Sequence, residues 1–505
     1  MLKLLAIPFA VVVAQAASAQ ATAVTADPLA GGSSQPGVDS SKYPQVAASG
    51  GEAVLVWEDY RGASWQIFTR RSSSSGSAWP GADVALPRHT SGSDARYPSI
   101  AASGANVMVG WAEHLPSGLE QIVVVASVDN GATWGATTAV STLSPISSVL
   151  VSEPAISVAG DGTLYVAWSQ QEVSRDSGSG ELDIIDRGYL SWSTDAGQTW
   201  NTPRVVEATS PVERLQAVDE VVVSGLDSGN AVVAFKSNEL TVSQQSVRFE
   251  PFATRFVKSS ANLDAATLLQ APGGPLTGSV AFLSIDTQGQ RGVAVAFASS
   301  DLVAKSQTVY ALYSSSGGAT WPDVQPVSSV EQSVGVLASS TRPSLAMTSG
   351  LVHVAHYAGI VVGDFGYLFS NVYVSTLDTS VSATDWSDSV HLPGPQVGAN
   401  TLSRLPKIAI AASGQRAIVA WTQYRGNVNQ DEYDLVWDDI RFATTSDGGA
   451  AWTVAPQALS AASTGLGGSS HPQVQFKGVQ GVVCWDNRGR GDGAPEVFAS
   501  IVSGF

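Results

Sequence analysis

The sequence predicts an all-β ring of about eight four-stranded blades, a β-propeller, with seven blades as the rival count. Three observations predict it. A tryptophan-ended octapeptide recurs along the chain, a proline-led apolar stretch recurs upstream of it, and no segment carries a long helical period. A fixed period of this kind replaces the three domains that 505 residues would otherwise suggest.

The octapeptide is complete twice, from Ser127 to Trp134 and from Ser193 to Trp200, where Ser, Asp, Gly, Thr and Trp hold the same places. Thr445 to Trp452 changes two positions, Ser72 to Trp79 and Ser314 to Trp321 lack the Asp, and Asp385-Trp386 ends a distorted copy. The closing tryptophans are separated by 55, 66, 121, 65 and 66 residues. The long step is two units with one octapeptide missing near Lys258 to Asn262, which makes the period about 60 residues.

Upstream of these sites, Pro44, Pro98, Pro154, Pro343, Pro406 and Pro472 each open an apolar stretch. A Gly-containing turn follows, then a β-rich run that ends at Trp57, Trp111, Trp168, Trp421 or Trp485; Phe235, Phe297 and His356 fill that slot in the other units. Eleven of 14 tryptophans thus occupy two repeated slots, so the period rests on both patterns. In the second unit, strands are expected over 99–102, 107–111, 121–127 and 139–142. The last unit stops after a third strand, and residues 21–26 resemble a fourth-strand segment. The N-terminal strand is therefore expected to complete the last blade and close the ring, removing exposed edges.

Composition narrows the function classes. The net charge of −17, with 7 Lys and 19 Arg, argues against nucleic acid, whose binders need a basic surface. Only 14% of residues are charged, against roughly 25% in ordinary soluble domains. The lone Cys484 makes no internal disulfide and reads as buried and inert.

Residues 1–19 read as a cleaved signal peptide: Lys3, an apolar run from Leu4 to Val13, then Ala17-Ser18-Ala19. That run is too short to span a bilayer, and no other stretch is long enough. A single domain over 20–505, secreted or periplasmic, bacterial, monomeric and without a membrane span, is expected.

The octapeptide resembles the Asp-box, or BNR repeat, of sialidase-like β-propellers, and its copies cover nearly all of the chain after the leader. The resemblance implies that Asp129, Asp195 and Asp447 close structural hairpins while the tryptophans pack between blades. Fold-level likeness leaves activity open, because Asp-boxes also occur in non-catalytic propellers. It further implies that a sialidase would use three arginines on a carboxylate, a Tyr–Glu pair and an Asp acid. The family's first arginine lies in an Arg-Ile-Pro motif. Arg96-Tyr97-Pro98 and Arg404-Leu405-Pro406 stand in similar blade positions with a different middle residue, and Lys42-Tyr43-Pro44 opens the first unit. The Tyr–Glu pair and the acid have no assignment, so the catalytic residues are left open.

Strand direction selects the functional face. Residues before each blade-opening proline and after each second-strand aromatic share one face, opposite the octapeptides. Arg96, Tyr97, Arg342, Arg404, Tyr43, Arg61, Arg425 and Arg488 are the candidate ligand residues. Arginine's fork suits a carboxylate and tyrosine gives a sugar a stacking face. The competing reading is that such charges pair with one another, as Glu58 and Asp59 would with Arg61. The leading expectation is recognition of a carbohydrate or extracellular protein ligand. Exo-sialidase action on an acidic sugar is the first alternative, and a non-catalytic scaffold or cell-surface assembly role the second.

No cofactor is expected. Two acidic runs, Glu172 to Asp186 and Asp431 to Asp439, have the carboxylates for Ca²⁺, yet neither fits an EF-hand register and solvated loops serve as well. The six histidines are scattered, and His356 reads as a core residue. Arg490-Gly491-Asp492 reads as a chance tripeptide in a Gly-rich turn.

Overall fold

Gly-punctuated β-runs pair here as antiparallel hairpins, and eight such blades are present among the described residues. The computed structural model describes residues 18–23, 41–49, 51–61, 64–72, 79, 82–141, 151–175, 182–207, 217–238, 249–272, 274, 276, 278–301, 306–327, 338–348, 350–362, 367–392, 408–425, 437–455, 458–462, 469–488 and 495–504. The innermost strands of blades 1 to 8 are Ser41–Ser49, Asp94–Ser103, Ala155–Val158, Ala217–Gly225, Ser279–Gln288, Ala338–Thr348, Ile408–Ser413 and Ser469–Lys477. Each packs against the inner strand of the blade before and after it, so the eight form a ring. Blades 5 and 6 are also joined by one parallel pair, Ser306 with Ala338.

The ring is closed by packing as well as by pairing. Every junction between neighbouring blades, 8 to 1 included, holds its own cluster of buried apolar side chains. Blade 8 takes its outer strand, Ser18–Ala23, from the other end of the chain, paired with Pro495–Ser503. Closure from the N-terminus holds, with the strand three residues earlier than the expected 21–26; Ser18 and Ala19 lie within the expected leader. In the second blade the strands are Asp94–Ser103, Asn106–His114, Glu120–Ser127 and Thr138–Ala139, longer than expected for the first three and shorter for the fourth. The unit lacking an octapeptide is an irregular blade: two short strands, Asn262–Leu263 and Thr267–Leu268, share its outer edge.

All eight second-strand slots are buried, including Phe235, Phe297 and His356. Six of them stack on an aromatic across the strand pair: Trp57 on Phe68, Trp168 on Tyr189, Phe235 on Phe252, Phe297 on Tyr310, His356 on Tyr373 and Trp485 on Phe498. The octapeptides are hairpins held by their own side chains. Asp195 accepts from the Thr199 amide at 2.9 Å, and Ser193 Oγ accepts from Gly197 N at 2.9 Å. Gly197 stands at φ +84° with Ala126 of the preceding blade against the place of a Cβ, so glycine is required there. In blade 5, Ser316 replaces the Asp and still accepts from Thr320 N at 2.8 Å.

The two sequence patterns meet at one point. In blades 1, 2, 6 and 8 the inner strand bulges at residues 43–44, 97–98, 342–343 and 471–472, opposite Trp57, Trp111, His356 and Trp485. Proline cannot donate to a ladder, so a bulge is where an inner strand tolerates it. Tyr43, Tyr97 and His471 stand at φ 51°, 55° and 52°, an arrangement costing non-glycine residues about 1–2 kcal/mol each.

Candidate functional site

The bulges of blades 1 and 2, and a further one in blade 5 between Ala281 and Ser284, leave backbone N–H groups that the ladder no longer uses, and a carboxylate from the preceding blade takes them. Tyr97 N donates to Glu58 Oε2 at 2.8 Å, and Tyr43 N to Asp486 Oδ2 at 3.2 Å. In blade 5, Glu220 accepts from both Phe282 N and Leu283 N, at 2.8 and 2.7 Å. These bonds hold the pre-proline side chains at the start of the inner strands, on the face opposite the octapeptides.

In blades 8, 1 and 2 this builds a contiguous arc of rings. His471 meets the edge of Tyr43 at 4.5 Å between centroids, and Tyr43 lies 5.7 Å from Tyr97. Arg96 extends the arc: its guanidinium sits 4.2 Å from the Trp65 centroid and 5.1 Å from that of Tyr97. Lys42 lies 5.3 Å from the same indole, and Tyr60 packs against it at 5.3 Å. Asp94 Oδ1 accepts from Trp65 N at 2.9 Å, and Arg88 donates to Trp65 O at 3.0 Å, so the backbone carrying the indole is fixed from both sides.

Arg96 Nε donates to Glu58 Oε1 at 3.1 Å. Glu58 has no exposed side-chain surface, whereas Arg96 is 23% exposed. Burial raises the Glu58 carboxyl above its ordinary pKa, against the opposing pull of Arg96 and the Tyr97 amide. Burial and the neighbouring Glu58 raise the Tyr43 phenol as well, which keeps it protonated and able to donate. Asp486 fixes the last ring through His471 Nδ1, at 2.7 Å.

Of the expected ligand residues, Tyr43, Arg96 and Tyr97 are brought together. Arg404 lies outside the described residues. Arg61, Arg342, Arg425 and Arg488 lie in strands whose backbone alone is described there. Glu58 finds its partner in Arg96 of the next blade. Asp59 accepts from Ser41 Oγ at 2.8 Å and from Trp57 Nε1 at 3.2 Å. Glu113, on the same face, is a buried anchor that accepts from His89 N and Thr90 N. Trp65 was not expected at the site, whereas His471, which precedes Pro472, was expected on this face but not among the ligand residues. Trp65 had one signal in the sequence: it is among the three tryptophans outside both repeated slots.

A second constellation stands at the corresponding end of blade 3. Tyr189 hydroxyl donates to Glu172 Oε1, and Arg187 Nε lies 3.3 Å from Glu172 Oε2. Burial, then the bond to Glu172, raise the Tyr189 phenol well above its ordinary pKa. Asp186 accepts from Gln171 at 3.1 Å, so the two acids of that run with described side chains, Glu172 and Asp186, already have partners. Asp176, Glu181, Asp431, Glu432, Asp434 and the Arg490-Gly491-Asp492 tripeptide lie outside the described residues. Among the described residues no three His, Cys, Asp or Glu side chains are grouped to hold a metal ion, and no helix is long and apolar enough to cross a membrane. Cys484 is buried and its thiol is raised far above its ordinary pKa.

No protein-family model matches the chain, and no curated relative matches it. Solved structures similar to it in fold include the Hadza microbial sialidase Hz136, 13% identical over 89% of this chain and 76% of that one, with a TM-score of 0.38. A polysaccharide lyase described as PL25 ulvan lyase is 8% identical over 91% and 93%, with a TM-score of 0.44. Trypanosoma rangeli sialidase is 12% identical over 96% of this chain and 60% of that one, with a TM-score of 0.38. At these identities the likeness is one of fold alone.

Proposed function

We propose that this chain is an exported carbohydrate-binding propeller that takes an acidic glycan at the junction of blades 8, 1 and 2. The observation that carries the reading is the arc of His471, Tyr43 and Tyr97 with Arg96 laid over Trp65. Aromatic faces stack on the C–H surface of sugars, and a guanidinium whose Nε is already held by a buried carboxylate offers its Nη edge to an anion. The rings are held by bulges and carboxylates, so little side-chain ordering remains to oppose binding. Among the described residues the exposed large apolar side chains are six valines spread over blades 1, 2, 3, 6 and 8, which form no docking patch for a scaffold role there. The test is binding of the purified chain to immobilised acidic and neutral oligosaccharides, beside Trp65→Ala. Wild-type binding to acidic glycans, weakened in the variant, is expected; absence of binding by the wild type overturns the reading.

One observation favours a second reading, hydrolysis of a sialoside or related acidic sugar. It is the hydrogen bond between Tyr189 and Glu172, the residue pair that such a reaction employs.

A further inference from the structure

We propose that His471 is a second ligand-contacting anchor of this site, its Nε2 accepting a hydroxyl of an oligosaccharide whose carboxylate lies on Arg96. The inference rests on the glycan reading and adds to it what the ligand must bring: a hydroxyl donor at one end of the arc and an anion at the other.

Three local facts carry it. The bulges of blades 8, 1 and 2 give His471, Tyr43 and Tyr97 one backbone conformation, so the three side chains occupy equivalent ring positions. Two of the positions hold tyrosine and the third holds an imidazole. The neighbouring bulge amide, Tyr43 N, is already bound by Asp486, and the same oxygen accepts from His471 Nδ1. A carboxylate 5% exposed accepts and does not donate, so it places the proton of the neutral ring on Nδ1 and leaves the lone pair on Nε2. The imidazole is 22% exposed, and Nε2 has no partner among the described residues.

A third aromatic at this position would complete the packing on Tyr43 without any of this. The Asp486 bond holds the ring in one orientation, so the far nitrogen is presented in a fixed direction. Two rings, Tyr43 and Tyr97, lie between His471 and the guanidinium of Arg96, in steps of 4.5, 5.7 and 5.1 Å, so a ligand that follows the arc covers more than one sugar. The ligand class is therefore an acidic oligosaccharide of at least two units. A simple anion lacks the hydroxyl, and a neutral glycan lacks the charge.

The experiment measures affinity of wild type, His471→Phe and His471→Gln for arrayed uronate-, sialate- and sulfate-bearing oligosaccharides and neutral counterparts, with Tm recorded for each protein. Phe keeps the ring and loses both the Nε2 acceptor and the Nδ1 bond to Asp486. Gln can donate to Asp486 through its amide nitrogen and accept through its oxygen. The expected result is a loss of about tenfold or more in His471→Phe, larger than any fall in Tm from the lost Asp486 bond accounts for, with partial recovery in His471→Gln. In the wild type, long-range proton–nitrogen NMR is expected to show His471 protonated on Nδ1 and an Nε2 resonance that shifts as the bound oligosaccharide is added. Equal affinity in all three proteins, or an Nε2 resonance that does not move on binding, overturns the role of His471 and leaves the glycan reading standing. Absence of wild-type binding to every arrayed glycan overturns both.

Discussion

Arg96 Nε lies 3.1 Å from Glu58 Oε1, and the other oxygen of that carboxylate accepts the bulge amide of Tyr97 at 2.8 Å. One buried acid from blade 1 therefore fixes two consecutive residues of blade 2, a side chain and a backbone, at the place where a ligand would meet them. Removing it leaves a donor without a partner and a guanidinium without its tether. Glu58→Ala is expected to lower stability by about 2–3 kcal/mol in urea titration, and to weaken acidic-glycan binding alongside. Stability within about 0.5 kcal/mol of wild type would show that the bulge does not depend on this carboxylate.

The second-strand slot makes a different prediction, about packing. Trp57 is fully buried, stacked on Phe68, and belongs to the cluster that joins blade 1 to blade 8. Trp57→Ala removes a large side chain from a junction that closes the ring, at an expected cost of about 3–5 kcal/mol. Trp57→Phe is expected to cost markedly less, because Phe235 and Phe297 already fill the same slot elsewhere. Denaturant midpoints of the two variants check the order, and equal losses would contradict the equivalence of the slots.

Both halves of this architecture could be read from the sequence because each is periodic: proline at the bulge and a large ring in the slot recur at a fixed unit length. That the two face each other across one strand pair was not legible. It depends on register, and hairpin length varies between units. The cross-strand partners Phe68, Tyr189, Phe252, Tyr310, Tyr373 and Phe498 were missed for the same reason: they differ in residue type and in distance from the slot. The roles of Glu58, Glu113 and Asp486 were hidden more deeply. Along the chain they look like charged loop ends, and only contact with the adjoining blade or loop turns them into buried acceptors. Arg96, Tyr97 and Tyr43 were legible because the proline marks the bulge that displays them.

Blade 6 carries the clearest pH signature. His353 and His356 are buried, and burial lowers both to a pKa of about 4. A histidine with a depressed folded pKa contributes stability that is complete above its ordinary value near 6.5 and is lost as pH falls towards 4. Each is expected to remove about 3 kcal/mol across that window. Asp286 works the other way: burial raises it to about 6, so its contribution is full below its ordinary value and fades as pH rises through 6. Comparison with His356→Phe isolates the histidine. Phe fits the slot, stacks on Tyr373 and removes an Nδ1 that has no hydrogen-bond partner. The variant is expected to match or exceed wild-type stability at neutral pH and to lose about half as much on acidification; parallel curves for the two proteins would refute a neutral, buried His356.

The last prediction separates binding from turnover. Tyr189 and Glu172 share a hydrogen bond, yet the phenol is raised well above its ordinary pKa by burial and by that same carboxylate. A nucleophile needs the opposite, a phenol that gives up its proton easily as bond formation begins. The packing explains the difference: Tyr189 is largely buried and stacks on Trp168 at 5.5 Å, which makes it the slot partner of blade 3 before it is anything else. Purified wild type is therefore expected to leave a fluorogenic sialoside unhydrolysed, and Tyr189→Phe is expected to retain glycan binding while losing some stability through the lost bond to Glu172. Turnover by wild type that disappears in Tyr189→Phe, with binding intact, would overturn the lectin reading in favour of hydrolysis. Turnover that survives Tyr189→Phe but disappears in the Arg96→Ala/Arg404→Ala double variant would instead place the chemistry on the blade-start arginines.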